Sequence, residues 1–378
     1  MAARLLDWVI DQSTTSNVVN AEPSDFSHSP ALRLLDNRDF YRETKDPLMS
    51  ILCRFYVAEA HMPLKVVDVR DRIYALLGLS IDAQSLEITP DYSIDVESVY
   101  TKVSTALLGK SPRLLQLCQG TAETVNYSSW VVDWNNVRLP PSELLDSQRF
   151  MACGKGDYRY QLADTSVANH ISFKGAVVTS VRDVGTTFTP DHARRLEVCR
   201  QYVNEVGEFF AMSMEITGSP FRDCTNAQLF RALSRIPVGG METYSQDGRQ
   251  YYRKATMVNY MRYKKFIDIS STSADMSGST SSDTSGITTL QSAEKYMVAA
   301  EEMAGRKPFL SREGYVGLGP SDLKADDTIA IFYGAPVPFA LRFQADGTYK
   351  LVGEVYVYSI MDGEYMRNAF TEVNFQLS

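Results

Sequence analysis

At 378 residues the chain has length for two or three domains and a sizeable core. Hydrophobic residues make up 44% and charged residues 22%, the balance of a soluble globular protein. A formal net charge of −8 excludes a strong basic field, so the charge balance predicts neither nucleic acid nor an anionic membrane as partner. The opening MAARLLDWVIDQ carries aspartates and lacks a continuous apolar run, so no signal peptide is expected. No apolar stretch reaches the length of a membrane span; the candidate at 328–343 is interrupted by Gly334, Pro336 and Pro338. Five scattered cysteines, Cys53, Cys118, Cys153, Cys199 and Cys224, suit reduced thiols of a cytoplasmic protein better than a disulfide framework or a zinc site.

In chain order, a short helix is expected around Leu5–Ile10, then a Ser-, Thr-, Asn- and Pro-rich loop through Pro30. From Pro47 to about Glu59, the apolar residues Leu48, Ile51, Leu52, Phe55 and Tyr56 recur at helical spacing. Asp68–Leu108 predicts two amphipathic helices joined by a turn-rich connection. In the first, Ile73, Leu76 and Leu77 share a face, Asp68 and Asp71 are placed as a capping-box-like pair, and Gly78 lets the chain leave. In the second, Val96, Val99, Tyr100, Val103 and Leu107 form the apolar stripe, with Ser93 as the expected cap.

The wording of that stretch carries a family resemblance. Asp68-x-Arg70-Asp71-x-Ile73-Tyr74, running on to Gly78 and Leu79, is followed by Pro90-Asp91-Tyr92-Ser93 and then Val99-Tyr100. This block resembles the fungal heterokaryon-incompatibility (HET) proteins, with Val69 where that family usually has proline. A third apolar segment (Leu114, Leu115, Leu117) ends near Gly120, and the SSWVVDW phrase at Ser128–Trp134 is again similar to the family. Trp130 and Trp134 read as packing residues ahead of any ligand-stacking role.

From about Arg149 the period changes. Arg149–Gly154 and His170–Gly185 are rich in β-branched residues and read as strands, and Phe173-x-Gly175 continues the resemblance. Pro190 to about Ile216, Asn226–Ile236 and Tyr251–Phe266 are predicted helices. Asp268 to about Gln291 is Ser/Thr-dominated and predicts a disordered loop, exposed to proteolysis over Ser270–Gly286. The last 75 or so residues hold five short apolar runs between turn signals, the spacing of a small antiparallel barrel. There Gly305, Gly314, Gly317, Gly319, Pro320, Arg342, Gly353, Glu354, Asp362, Gly363 and Glu364 carry the match, whereas Tyr358 and Ser359 stand where the family commonly has histidine.

Motifs that carry chemistry are scarce. The chain has no P-loop, G-x-G-x-x-G, H-E-x-x-H, G-x-S-x-G or C-x-x-C. Gly154-Lys155-Gly156 reads as a turn, and the four histidines are not spaced as metal ligands. Asp362 and Glu364 could form a pair of acid–base carboxylates, but a solvated turn is the simpler reading. Arg70 beside Asp71 could bind an anion or a partner; capping and a local ion pair explain them more simply.

HET proteins begin with a domain marked by Tyr-x-x-Leu-Ser-Tyr-x-Trp-Gly and Leu-Trp-Ile-Asp-x-x-Cys-Ile-Asn-Gln phrases, which triggers cell death in incompatible fusions. Neither phrase occurs here, so the resemblance implies the region that follows that domain, and it transfers no catalytic residue. The expected architecture is α+β: a helical region (1–120), a discontinuous antiparallel β-barrel (121–187 with 301–378), a helical insertion (188–267) and the Ser/Thr-rich loop (268–291). The expected function is non-catalytic recognition or regulation through a protein partner, such as a HET-domain-bearing relative. No cofactor, metal, nucleic acid or membrane span is expected. The alternative is an enzyme or small-ligand binder using a pocket between the helical region and the barrel. The motif positions Asp68, Arg70, Asp71, Tyr74, Gly78, Asp91, Tyr92, Tyr100, Trp130 and Trp134, with those of the C-terminal match, are expected to be structural.

Overall fold

The computed structural model describes residues 45–58, 66–118, 127–137, 149–154, 162–163, 170–246, 249–272 and 284–378. They fall into two compact units, Met1–Ile94 and Asp95–Ser378. The helix expected at Leu5–Ile10 and the centre of the Ser/Thr-rich stretch, 273–283, lie outside the described residues.

In the first unit, α1 (Leu48–Cys53) runs into a π-helical turn at Arg54–Ala58, and α2 spans Asp71–Leu77. Leu48, Ile51, Leu52, Phe55, Ile73 and Leu76 are buried, as their helical spacing requires. The backbone N–H of Leu48 donates to the Asp82 carboxylate at 2.8 Å, which supplies the cap that Pro47 cannot. The capping box expected from Asp68 and Asp71 does not form: no side chain caps α2, because Asp68 is engaged by Arg70 and Asp71 by Tyr92.

The second unit opens with α3 (Val96–Leu108), capped by Asp95, whose carboxylate accepts from Ser98 N at 2.7 Å. Ser93, the expected cap, instead donates its hydroxyl to Asp91. A 3-10 turn follows at Pro112–Leu117. Next in the chain come β1 (Leu162–Ala163) and the fourteen-residue β2 (Ile171–Val184). Arg149–Gly154, expected as a strand, is instead an irregular turn, bonded by Met151 N to Met361 O and by Ala152 N to Pro336 O.

After β2 come α4 (Arg195–Glu215), α5 (Asn226–Arg235), β3 (Met241–Gln246), β4 (Arg249–Lys254), α6 (Met257–Thr272) and α7 (Thr284–Glu301). α5 carries a full capping box, in which Thr225 and Gln228 satisfy each other's backbone N–H groups. The expected helix from Tyr251 is a correction: residues to Lys254 pair with β3, and the helix begins only at Met257. Cross-strand partners explain it, since Tyr251 stacks on Tyr244 at 5.6 Å and Arg253 reaches Glu242 at 2.7 Å. The flanks of the expected loop, 268–272 and 284–291, are likewise turns of α6 and α7.

The C-terminal part adds β5 (Arg306–Ser311), β6 (Val316–Pro320), β7 (Thr328–Phe332), β8 (Phe339–Phe343), β9 (Tyr349–Glu354), β10 (Tyr356–Val357) and β11 (Glu372–Leu377). β2 is the hub. Its first half pairs antiparallel with β11, its middle with β7 and its end with β5. From β7 the ladder continues through β8 and β9, and a parallel contact at Leu377–Tyr349 joins β9 to β11. The strands β2, β7, β8, β9 and β11 therefore form a ring, with β5, β6 and β10 extending from the far end of β2. β1 also pairs with the start of β2, and register shifts at Val177/Thr179 and Val181/Asp183 bend β2 so that one strand can serve four partners. Gly175 sits where β2 touches both β7 and β11; a Cβ there would lie 2.2 Å from Ile331 O. The fold is α+β, with helices and a small, mostly antiparallel barrel assembled from distant parts of the chain.

Alternation along the strands buries both faces. Phe332 stacks on Phe173 and Phe339 and meets Phe375 edge-on, with ring centroids 5.1–5.4 Å apart. On the other face Ala176, Val178, Ile329, Ile331, Ala340 and Val352 form the second apolar set. Each Phe, Ile or Val among them contributes roughly 1.5–3 kcal/mol by leaving water.

Candidate functional site

The motif residues of the first unit come together. Arg70 donates through Nε and Nη2 to both carboxylate oxygens of Asp68 and through Nη1 to the carbonyls of Tyr92 (2.8 Å) and Ile94 (2.7 Å). Its guanidinium also lies over the Tyr92 ring, 5.4 Å from the centroid. Tyr92 donates its hydroxyl to Asp71 and packs edge-on against Tyr74, and Tyr74 donates to Asp91 O. The Asp68–Tyr74 and Asp91–Tyr92 phrases thus form one buckle. Hydrogen bonds from the Arg70 side chain hold the Asp68 carboxyl below the usual carboxylate range, and the same bonds raise Arg70. Gly78 follows α2 in ordinary right-handed conformation.

In the second unit Glu354, at the end of β9, is a buried carboxylate. Arg306 Nη2 donates to its Oε1 at 2.5 Å, Arg306 Nη1 to its backbone carbonyl at 3.1 Å, and Gln116 Nε2 to its Oε2 at 2.6 Å. All three side chains are buried. They tie the start of β5, the end of β9 and the 3-10 turn to one point. Beside them a cavity of about 20 Å³, room for a single water, is lined by Phe150, Met241, Met303, Val337, Tyr356 and Met361 together with Arg306 and Glu354.

The remaining motif positions hold the frame. Arg342 on β8 makes a two-pronged pair with the buried Asp327 at 2.8 Å on both arms and reaches Asp322 O; those bonds raise its pKa. Gly317, Gly319 and Pro320 lie on β6, and Gly353 precedes Glu354 on β9. Tyr100 on α3 and both Trp130 and Trp134 are buried. Asp362, Gly363 and Glu364 form a turn after β10: Glu364 accepts from Asp362 N at 2.6 Å, and the Asp362 carboxylate pairs with Lys254.

Chemically, these groups are occupied with one another. Each Glu354 oxygen already accepts a hydrogen bond, and Asp362 and Glu364 face a lysine and a backbone N–H respectively. Burial pushes the Cys53 and Cys199 thiols up to about 12 and the Cys118 thiol higher, the opposite of what a nucleophile needs. Sequence reasoning missed Gln116 and Arg306. The signal was present: a glutamine inside LLQLC and an arginine opening the apolar run RKPFLS each imply a buried partner.

Among the described residues no group of His, Cys, Asp and Glu could hold a metal ion, and no helix is long and apolar enough to cross a membrane. Residues 168–377, which hold the whole ring of strands, match the model of the Het-6 beta-barrel domain. The chain belongs to that family, as its resemblance to the HET proteins implies. It is also similar to heterokaryon incompatibility protein 6, OR allele, of Neurospora crassa, with 26% identity over 369 aligned positions that cover 88% of this chain. The chain spans about half, 54%, of that relative's length. No solved structure matches it.

Proposed function

We propose that the chain is a non-catalytic recognition or regulatory module of fungal heterokaryon incompatibility, acting in the cytoplasm on a protein partner. The likeness to the Neurospora crassa incompatibility protein supports the process. The observation that carries the non-catalytic reading is the Gln116–Glu354–Arg306 lock: this buried carboxylate is saturated by its own neighbours, and the cavity beside it has room for one water. On this reading the motif positions, from the Arg70 buckle to the Asp362–Glu364 turn, set shape rather than perform chemistry. The partner is a protein carrying the death-triggering HET domain. Co-expression with a full-length HET-domain relative in a filamentous fungus tests it. The chain alone should leave growth unchanged, and with the relative it should co-purify and alter the frequency of cell death. Cell death from the chain alone, or unaltered death with no association, overturns it.

A further inference from the structure

Cations and exposed apolar residues cluster in one stretch of the chain. From Gly248 to Ile267 the chain has six cations (Arg249, Arg253, Lys254, Arg262, Lys264, Lys265) and no carboxylate. Carboxylates around it answer most of it: Glu242 pairs with Arg253, Asp362 with Lys254, Glu302 accepts from Tyr252, and Asp247 and Asp268 bound the run, so six cations stand against five carboxylates. In the middle of that run α6 opens onto solvent with apolar residues. Met257 is 68% exposed, Val258 45% and Met261 51%, positions that share one face of a helix. The opposite face, Asn259, Tyr263 and Phe266, is buried, so the helix is anchored while its apolar ridge points out. The ridge and the cations form one structure: Glu242 bonds both Arg253 and Thr256, and Arg262 donates to Thr243 O.

We propose that the start of α6, with the β3–β4 hairpin beside it, docks onto an anionic lipid surface. Protruding methionines and a valine flanked by lysine and arginine are the chemistry of interfacial attachment: apolar groups enter the acyl boundary while cations meet the headgroups. The net charge of −8 does not forbid this, because charges farther away than about 8 Å are screened at physiological salt. Nucleic acid fits less well, since the rings of Tyr251, Tyr252 and Tyr263 are already engaged. Tyr251 stacks on Tyr244, Tyr252 takes Arg149 over its ring, and Tyr263 is buried against Tyr296. A protein partner would be favoured by a groove, whereas the exposure of Met257 makes a ridge. The inference goes beyond the recognition role and does not depend on it.

Sedimentation of the intact chain with vesicles of phosphatidylcholine, alone or with about 30% phosphatidylserine, tests it. The expected result is at least about tenfold more binding to the anionic vesicles, abolished by high salt. The Met257→Asp, Met261→Asp double variant should lose that binding with an unchanged unfolding midpoint, because both side chains are exposed. Lys264→Glu with Lys265→Glu should weaken it severalfold, while Lys102→Glu, on the exposed side of α3, should not. Equal binding to neutral vesicles, wild-type binding by the double-methionine variant, or sedimentation with neither vesicle overturns the proposal. Each of these outcomes overturns it even if an acidic protein or an oligonucleotide proves to bind the ridge.

Discussion

Gly363 and Gly154 meet backbone to backbone: a Cβ on Gly363 would lie 2.6 Å from the Cα of Gly154. Both have positive φ, +79° and +80°. The contact fastens the Asp362–Glu364 turn to the Met151–Gly154 crossing, beside the bond from Met151 N to Met361 O. Gly363→Ala combines a left-handed backbone with a clash against another backbone and should cost about 2–4 kcal/mol. Gly154→Ala bears only the first penalty, about 1–2 kcal/mol, because its nearest contact would be at 3.7 Å. Equilibrium denaturation separates the two; equal losses would refute the contact.

Removing one partner of the buried Arg306–Glu354 pair strands the other charge. Glu354→Leu or Arg306→Met alone should therefore cost about 3–5 kcal/mol, and the double variant much less than the sum. A double-mutant cycle with no coupling would mean that the lock contributes shape only.

Asp68 gives a pH signature. Its folded-state pKa is lowered by Arg70, so the stability it contributes is fully present above the ordinary carboxylate pKa. It is lost as the pH falls through the lowered value. A carbon-13 titration should find Asp68 below an ordinary aspartate, and Arg70→Ala should raise it part of the way to normal, because the backbone N–H of residue 70 still donates to Asp68. An ordinary titration in the unsubstituted protein would break the buckle.

Thiol chemistry should be uneven. Cys53, Cys118, Cys153 and Cys199 are buried and Cys224 is half-buried. Burial holds the first four thiols in their protonated form at about pH 8. A disulfide reagent should label Cys224 first, and the other four only on unfolding. Rapid labelling of any of the four in the folded chain would contradict their placement.

Ser359 adopts φ +79° at an exposed position. Ser359→Gly should relieve that strain and gain up to about 1 kcal/mol, part of it offset by the looser unfolded chain. Any fall in the unfolding midpoint would show that the serine side chain contributes something the geometry does not reveal.

The apolar periods make much of the fold legible. The runs at 73–77, 96–107 and 226–235 form the helices their period predicts, since each packs along one face, and the continuous apolar runs within 328–343 form strands buried on both faces. β11 lies outside the five expected runs although Glu372–Leu377 alternates polar and apolar residues throughout, the period of a strand with one buried face; its pairing with the first half of β2 is what a local pattern cannot show. The β4 half of the hairpin reads as helix for a related reason: cross-strand pairs with Tyr244 and Glu242 outweigh local preference. At the site, Arg70 and Glu354 stand out through family wording. Gln116 does not, because its partner lies 238 residues away and no local pattern points across that distance.

The long strand β2 also sets a schedule for synthesis. β5 and β7 follow it by well over a hundred residues, and β11 comes later still. At about 5–20 residues per second a ribosome needs on the order of 10–40 s to pass from Val184 to Leu377. During that interval the emerging chain holds a bent apolar ribbon with its principal neighbours not yet made. A strand left waiting in this way is an open template for another chain. Nascent copies of this protein should therefore be clients of ribosome-associated chaperones, and slowing translation beyond Val184 should raise the fraction that aggregates.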